Sequence, residues 1–335
     1  MMMRIFKPQK GFTLVELMIS MLLGLILTGG IYSVFTQNAQ TSNFVQGSSR
    51  IQENARFALS ELSAHARMIG YMGCLSQLDL DSPEFINTVD GAPGSGDIYD
   101  FSAGHLEIID TEFSNVPATY ALSPEPAPDT DVLVIRGLST ADFNLSGAMP
   151  NTSADLKVVG GEGLEIGDIV FLSDCEKASM FQVTNLTIQA GTGESNVVHN
   201  TGVGSPGNSQ SELSNSNPFG EDATVQEFTT TIFYIAPATF TNNLGNEVLS
   251  LWQKNGADDA FEFASGIRDL EILSGEDASG DGIPDRIVRP EDVNDFNDVV
   301  SLNIQITADS IDPVDGTDLI IRDFGATVKL RNRGI

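Results

Sequence analysis

A single acidic residue interrupts the long apolar stretch near the start of the chain. Between Phe12 and Phe35 the only charged side chain is Glu16. A carboxylate costs roughly 2.5 to 3.5 kcal/mol to place in hydrocarbon, so it needs a cationic partner. If the chain is cut after Gly11, the new α-amino group of Phe12 is such a cation. We therefore expect Glu16 of one copy to pair with the Phe12 amine of another, which stacks the copies with an axial offset.

The segment before the apolar stretch is short and basic. Arg4, Lys7 and Lys10 precede Gly11, and no small-residue cleavage site follows the apolar run. A cut after Gly11 thus keeps the apolar segment in the mature protein, and this segment is long enough to span a bilayer. The alternative is an ordinary single-pass anchor with a chance glutamate.

The element that positions Glu16 is predicted to be one long helix. No proline occurs between Pro8 and Pro83, so a continuous helix from about residue 12 to 69 can form, roughly 85 Å long at 1.5 Å per residue. Glycines at 24, 29 and 30 are its weak points. Its second half is amphipathic, with apolar residues at spacings of 4, 3, 4, 4 and 3: Ile51, Ala55, Ala58, Leu62, Ala66 and Ile69.

After Gly70 the pattern becomes typical of strands and loops. The residues from Val299 to Thr307 alternate between apolar and polar types, which predicts a half-buried strand. The proline-rich stretch 117–130 is predicted to be a loop, and the polar stretch 199–222 a mobile surface excursion. Further strands are predicted at 131–136, 168–173, 228–235, 248–252, 267–273 and 325–331, which favours an α+β fold with an antiparallel body.

The charge and the motif content exclude several function classes. The 335 residues carry a net charge of −29, which repels phosphate backbones and argues against nucleic-acid binding. Beyond Gly11, basic residues gather only at the C-terminal end, as Lys329, Arg331 and Arg333. No catalytic motif is present, and only three histidines occur: His65, which we expect on the surface or at an interface of the helix, and His105 and His199, both beside loops. We therefore expect a non-enzymatic protein without an organic cofactor.

One acidic loop is a candidate calcium site. Asp277, Ser279, Asp281 and Asp285 provide oxygen ligands at loop positions 1, 3, 5 and 9, with the Ile283 carbonyl at position 7. Gly282 occupies position 6, but Val288 replaces the usual glutamate at position 12. An acidic turn between two strands is the alternative interpretation. A cluster of Trp252, Phe233 and Tyr234 is likewise expected to belong to the core rather than to a binding patch.

The N-terminal residues resemble a known processing signal. Gly11-Phe12-Thr13-Leu14-Val15-Glu16-Leu17 resembles the class III signal of type IV pilins and pseudopilins, in which a prepilin peptidase cuts after the glycine and N-methylates the new terminal residue. Other stretches are similar to the PilW family of minor pilins: Arg67-Met68-Ile69-Gly70-Tyr71-Met72-Gly73-Cys74, Gly167-Asp168-Ile169-Val170, Ser173-Asp174-Cys175, Phe233-Tyr234-Ile235-Ala236-Pro237 and Leu330-Arg331-Asn332-Arg333.

This resemblance implies a domain organisation and a location. The leader is residues 1–11, the membrane and filament-core half of the helix 12–36, the amphipathic half 37–73, and a β-rich domain 74–335. The protein would sit in the inner membrane with the β-rich domain in the periplasm, and later in a surface pilus. The two cysteines, at 74 and 175, suit either an oxidising compartment or two unpaired buried thiols, and the resemblance implies that they pair.

The resemblance also implies partners and a function. The partners would be the other minor pilins, the major pilin, a tip adhesin and the prepilin peptidase and methyltransferase. The expected role is to prime type IV pilus assembly, within a tip complex, for twitching motility and adhesion. The alternatives are a minor pseudopilin of a type II secretion system and a tip adhesin that binds a surface ligand itself.

Overall fold

A computed structural model describes residues 11, 13–73, 84–90, 98–99, 104–189, 191, 193–314 and 318–332. One α-helix, α1, extends from Leu14 to Met68, and fifteen strands follow it within the described residues. The strands are β1 Phe85–Asn87, β2 Leu106–Asp110, β3 Asp131–Asn144, β4 Leu156–Val159, β5 Ile169–Ser173, β6 Ala178–Gln182, β7 Asn185–Gln189, β8 Glu194–Val198, β9 Thr224–Thr241, β10 Glu247–Asn255, β11 Phe261–Ser265, β12 Ile267–Glu276, β13 Arg286–Val288, β14 Val299–Asp309 and β15 Ile321–Lys329.

Helix α1 confirms the prediction of one continuous helix. It has 55 residues, or about 83 Å at 1.5 Å per residue, and it passes unbroken through the three glycines at 24, 29 and 30. Thr13 caps its start, and Gly70 follows its end with a φ of 76°. A left-handed glycine after the last turn is a common helix stop, because a side chain would be strained there.

The strands form three sheets. The largest has eight strands in the order β1-β6-β5-β9-β10-β11, with β3 also paired to β9 and β2 paired to β3. The second has the order β13-β12-β14-β15, and the third the order β4-β8-β7. Strands β1 and β6 are parallel, and every other strand pair within the described residues is antiparallel. The predicted α+β class with an antiparallel body is therefore confirmed.

The second half of α1 packs against both larger sheets. All six apolar residues predicted for its inner face are at most 1% exposed. They share one core cluster with Phe233 of β9, Leu302 and Ile304 of β14, and Leu270 of β12. The apolar residues that recur about every 3.6 positions along α1 thus pack in the same core as those that recur every two positions along β14.

All seven predicted strands are present, and several others were missed. The 199–222 stretch was wrongly interpreted as a mobile surface excursion, because Asn208, Leu213 and Phe219 within it are each at most 1% exposed. The Asn208 side chain accepts the Gln182 N–H at 2.7 Å and donates to the Gln182 carbonyl at 2.8 Å. This amide group therefore continues the hydrogen bonding of β6 in place of another strand.

Candidate assembly site at the start of the helix

Glu16 lies in the first turn of α1 and closes a capping box with Thr13. The Glu16 carboxylate accepts hydrogen bonds from the backbone N–H and the hydroxyl of Thr13, both at 3.0 Å. In return, the Glu16 N–H donates to the Thr13 hydroxyl at 3.2 Å. This arrangement satisfies two donors at the helix start and holds the carboxylate against the residue that precedes the helix. Thr13 was assigned no role from the sequence, although the Thr-x-x-Glu spacing is a recognised cap signal.

The predicted cleavage junction lies directly before this cap. Gly11 is exposed, and a Cβ atom added there would meet no atom within 4 Å. The predicted site of N-methylation, Phe12, lies outside the described residues. Glu16 itself is exposed in this single chain, so its carboxylate has room for a partner from another molecule.

The first half of α1 is an exposed apolar rod. Fifteen large apolar side chains between Leu14 and Phe35 are each at least 51% exposed. The helix contains a window of mean hydropathy 2.1, none of which is buried inside the chain, and it is long and apolar enough to cross a membrane. This rod must be covered by lipid or by other protein chains, since an exposed apolar patch of this size is unusual in water.

The hydroxyl groups on this rod are satisfied within the helix. Ser20 donates to the Glu16 carbonyl at 2.6 Å, and Thr28 donates to the Gly24 carbonyl at 2.8 Å. Thr36 donates in the same way to carbonyls one turn earlier. These hydroxyls donate to carbonyls of their own helix. They therefore need no other hydrogen-bond partner when the helix lies in an apolar environment.

The second half of α1 is fixed to the strand-rich part by specific contacts as well as by its apolar face. The Asn54 amide donates to the Ser265 carbonyl at 2.8 Å, and the Phe57 ring stacks on Phe263 with centroids 4.7 Å apart. His65, expected at the surface or an interface, packs its ring edge-on to Phe233 at 5.1 Å. The second half of α1 is therefore docked on the sheets, and the first half extends away from them.

The cysteine prediction concerns the region just beyond the helix. Cys175 lies in the turn between β5 and β6, with a φ of 69°, and its N–H donates to the Ser173 hydroxyl at 3.2 Å. No described cysteine is free. Cys74 lies outside the described residues, so its pairing with Cys175 stays a prediction.

The candidate calcium loop is closed by its own hydrogen bonds. The Asp277 carboxylate accepts the N–H groups of Gly280 and Gly282, at 2.7 and 2.6 Å, and the Ser279 hydroxyl. Burial alone would raise the pKa of Asp277, but these hydrogen bonds outweigh it and hold the pKa below its ordinary value.

The other two acids of this loop each accept a hydrogen bond from a different backbone N–H. Asp281 accepts the Ile283 N–H at 2.9 Å, and Asp285 accepts the Ser279 N–H at 2.9 Å. Among the described residues, no group of three or more His, Cys, Asp or Glu side chains is arranged to hold a metal ion. Calcium binding by this loop therefore stays a prediction.

The remaining candidates from the sequence belong to the core or to the chain end. Phe233, Tyr234 and Trp252 are at most 6% exposed, as expected for core residues. Of the basic residues at the C-terminal end, Lys329 donates to the Gly282 carbonyl at 3.1 Å, and Arg333 lies outside the described residues.

A buried arginine was missed by the sequence analysis. Arg136 on β3 is fully buried, and its Nη2 donates to Glu107 at 2.8 Å and to the Tyr120 hydroxyl at 2.7 Å. The Tyr120 hydroxyl in turn donates to Glu107 at 2.6 Å. This cluster fixes the predicted 117–130 loop, which contains Tyr120, onto the largest sheet. No local pattern signals it, because the partners are distant in sequence.

A buried acid at the junction of two sheets was also missed. Asp131, at the start of β3, is 5% exposed, and its carboxylate accepts the Ile272 N–H of β12 at 2.6 Å. Burial raises the pKa of Asp131 to about 7, although the Ile272 hydrogen bond acts in the opposite direction. Nearby carboxylates raise it further; the small cavity beside Asp131 is lined by the charged residues Asp110, Glu112, Asp129, Glu271 and Arg289.

Comparison with known proteins bears on the start of the chain. A family model described as the prokaryotic N-terminal methylation motif matches residues 6–32. No curated protein matches the chain. The matched stretch includes the predicted cleavage junction and Glu16, while the narrower resemblance to the PilW family finds no support. The motif, followed by a helix of membrane-spanning length, indicates a protein of the type IV pilin or pseudopilin type, and it suggests processing by a prepilin peptidase and association with other pilus components.

Proposed function

We propose that this protein is a minor pilin that primes the assembly of a type IV pilus and enters the filament within its tip complex. It is cleaved after Gly11, methylated at Phe12 and held in the inner membrane by the first half of α1, with the strand-rich part in the periplasm. The observation that supports this proposal best is the exposed apolar rod from Leu14 to Phe35, with the capping Glu16 in its first turn.

The apolar rod supplies the largest contact in this proposal. Fifteen large apolar side chains are exposed between Leu14 and Phe35. In a filament outside the membrane, neighbouring helices must take the place of lipid around them, because each such side chain left in water would cost roughly 1.5 to 3 kcal/mol. Apolar contacts alone fix no axial position, because a rod of similar side chains can slide along its neighbour.

Glu16 supplies the axial position. In the uncleaved chain its carboxylate is held by Thr13, one residue from the new terminus that cleavage creates. We propose that in the filament the carboxylate instead meets the Phe12 amine of a neighbouring copy or pilin. A buried charge that loses its partner costs about 3 to 5 kcal/mol, which corresponds to a hundredfold or more in the equilibrium of that contact.

Two substitutions separate the charge of Glu16 from its capping role. Glu16→Gln keeps a side chain that can close the capping box but removes the charge. Glu16→Ala removes both. We expect both variants to remain in the membrane fraction and to be cleaved, and both to be strongly depleted from sheared filaments. Glu53→Gln, on the exposed face of the docked half of α1, is the matched control and should assemble normally.

The outcome decides between the two roles of the acid. Normal assembly by Glu16→Gln, together with failure of Glu16→Ala, would mean that the cap matters and the charge pair does not. Normal assembly by both variants, with the other minor pilins intact, would overturn the proposal. The N-terminal residue and the mass of the mature protein provide the direct check of cleavage and methylation.

The same anchor would serve a minor pseudopilin of a type II secretion system. Our choice of a pilus rests on the resemblance at the two ends of the chain and at its cysteines, and we retain their pairing as part of the proposal. The genes that neighbour this one distinguish the two systems. In either system we propose that the chain is a structural subunit, and itself the substrate of a peptidase and methyltransferase, rather than an enzyme.

A further inference from the structure

The second sheet ends in a long strand with one free edge. Seven described strands have a paired neighbouring strand on one side only. Six of them, β1, β2, β4, β7, β11 and β13, have at most five residues. Strand β15 has nine, pairs with β14 without a register shift and contains no proline. Short strands, bulges and prolines are among the means of protecting a sheet edge, and β15 has none of these three. Charged side chains are another such means, and β15 carries them only near its ends, as Arg322, Asp323 and Lys329.

The hydrogen bonds at the two ends of the β14–β15 pair show which backbone groups face outward. Leu330 N–H donates to the Val300 carbonyl at 2.9 Å, and Ser310 N–H donates to the Ile320 carbonyl at 3.0 Å. In an antiparallel ladder, hydrogen-bonded and non-hydrogen-bonded residues alternate. The even-numbered residues of β15 therefore bond to β14. The odd-numbered residues direct their N–H and C=O groups to the free edge: Ile321, Asp323, Gly325, Thr327 and Lys329.

This edge is accessible along its length. All five outward-bonding residues are exposed, and the Ile321 side chain is 51% exposed. The central residues from Phe324 to Val328 carry no charge. Within the described residues, the edge thus offers a row of unpaired backbone donors and acceptors that match an added strand.

The charge of β15 itself differs from that of the rest of the molecule. The chain as a whole carries −29, yet Arg322, Lys329 and Arg331 lie on or directly after β15 and are exposed. The one acid of the strand, Asp323, accepts the Thr307 hydroxyl at 2.9 Å. Residues 321–331 thus carry three basic residues against one acid, a net charge of +2, which favours an acidic partner over a basic one.

We propose that the free edge of β15 binds an extended acidic segment of another polypeptide as a fifth strand of this sheet. The backbone of β15 supplies the hydrogen bonds, and Arg322, Lys329 and Arg331 select the acidic side chains. This surface belongs to the strand-rich part and not to the apolar rod, so the inference goes beyond the proposed function and does not depend on the pairing of Glu16.

The test is site-specific photo-cross-linking of the full-length protein in its native host. A photoreactive amino acid replaces Ile321 at the edge or, as the matched control, the equally exposed Ile188 on β7. We expect Ile321, but not Ile188, to cross-link to an acidic segment of another polypeptide, with the segment mapped by mass spectrometry. Thr327→Pro removes an outward N–H without breaking a bond to β14, and we expect it to lower the cross-linking yield about tenfold. Thr327→Val keeps that N–H and should leave the yield unchanged.

Several results would overturn this inference. They are a yield at Ile321 no higher than at Ile188, a cross-link to a second copy of this chain or to a neutral or basic segment, and a yield that Thr327→Pro does not change. The melting temperature of Thr327→Pro shows whether the variant folds. If it does not fold, the combined charge reversal Arg322→Glu and Lys329→Glu replaces it, and an unchanged yield in that variant would count equally against the inference.

Discussion

Replacement of Asp131 by asparagine should stabilise the protein in a pH-dependent way. The pKa of Asp131 rises from an ordinary value of 3.8 to about 7, because the carboxyl is buried at the junction of β3 and β12. The folded state therefore retains a proton that the unfolded state releases between these two values. The stability contributed by this proton is complete below pH 3.8 and is lost as the pH rises through about 7.

The structure sets the size of the effect. A difference of about 3 units between the folded and unfolded states corresponds to about 4 kcal/mol, at 1.36 kcal/mol per unit. The substituted asparagine would carry no charge, and its side-chain oxygen could still accept the Ile272 N–H. We expect Asp131→Asn to match the unaltered protein near pH 4 and to exceed its free energy of unfolding at pH 8 by about 2 to 4 kcal/mol.

The assay is urea unfolding of a fragment that begins at Gln37. This fragment omits the apolar rod but keeps every apolar residue of α1 that lies in the core, the first of which is Ile51. The measured quantity is the difference in unfolding free energy between variant and parent at each pH, so titration of the acids that do not interact with Asp131 cancels. Asp129→Asn, an exposed neighbour lining the same cavity, is the control. A constant difference from pH 4 to pH 8 would refute the reasoning.

Two further predictions concern the docked helix and the acidic loop. Leu62→Ala removes a fully buried side chain of α1 and should lower the free energy of unfolding by about 2 to 5 kcal/mol. Arg67→Ala, on the exposed face, should change it by less than about 0.5 kcal/mol. Similar urea midpoints for both variants would contradict the docking described above. Asp277→Ala should lower the melting temperature by several degrees with or without calcium, since hydrogen bonds close the loop; a calcium-induced rise that Asp277→Ala abolishes would instead establish the calcium site.

Local periodicity explains why the helix and seven strands could be predicted. The inner face of α1 and the alternating faces of β14 are both formed by residues close together in the sequence. The spacing of the apolar residues therefore predicts both. Strand β7 lacks such a pattern because most of it is exposed, and β6 is fully buried with Ser179 and Gln182 among its residues. Each strand pairs with one close to it in the sequence, β7 with β8 and β6 with β5, but neither shows the alternation of apolar and polar residues that marks β14.

The same distinction applies to the candidate sites. The capping box between Thr13 and Glu16 spans three residues and could have been read from the sequence. The buried state of Asp131 depends on Ile272, which is 141 positions away, and no local pattern indicates it. The interpretation of 199–222 was wrong for a related reason. Its polar composition does not show that the Asn208 side chain is buried and bonds to the backbone of β6, as a neighbouring strand would.

The docking of α1 on two sheets determines how the molecule responds to tension. The apolar contacts extend from Ile51 to Ile69, about 27 Å along the helix axis, and involve strands of both larger sheets. A pull on the apolar rod is directed along this axis, so it loads the whole contact in shear instead of peeling residues away one at a time. The strand-rich part can therefore be dragged by its helix, or hold against it, without first coming apart from it.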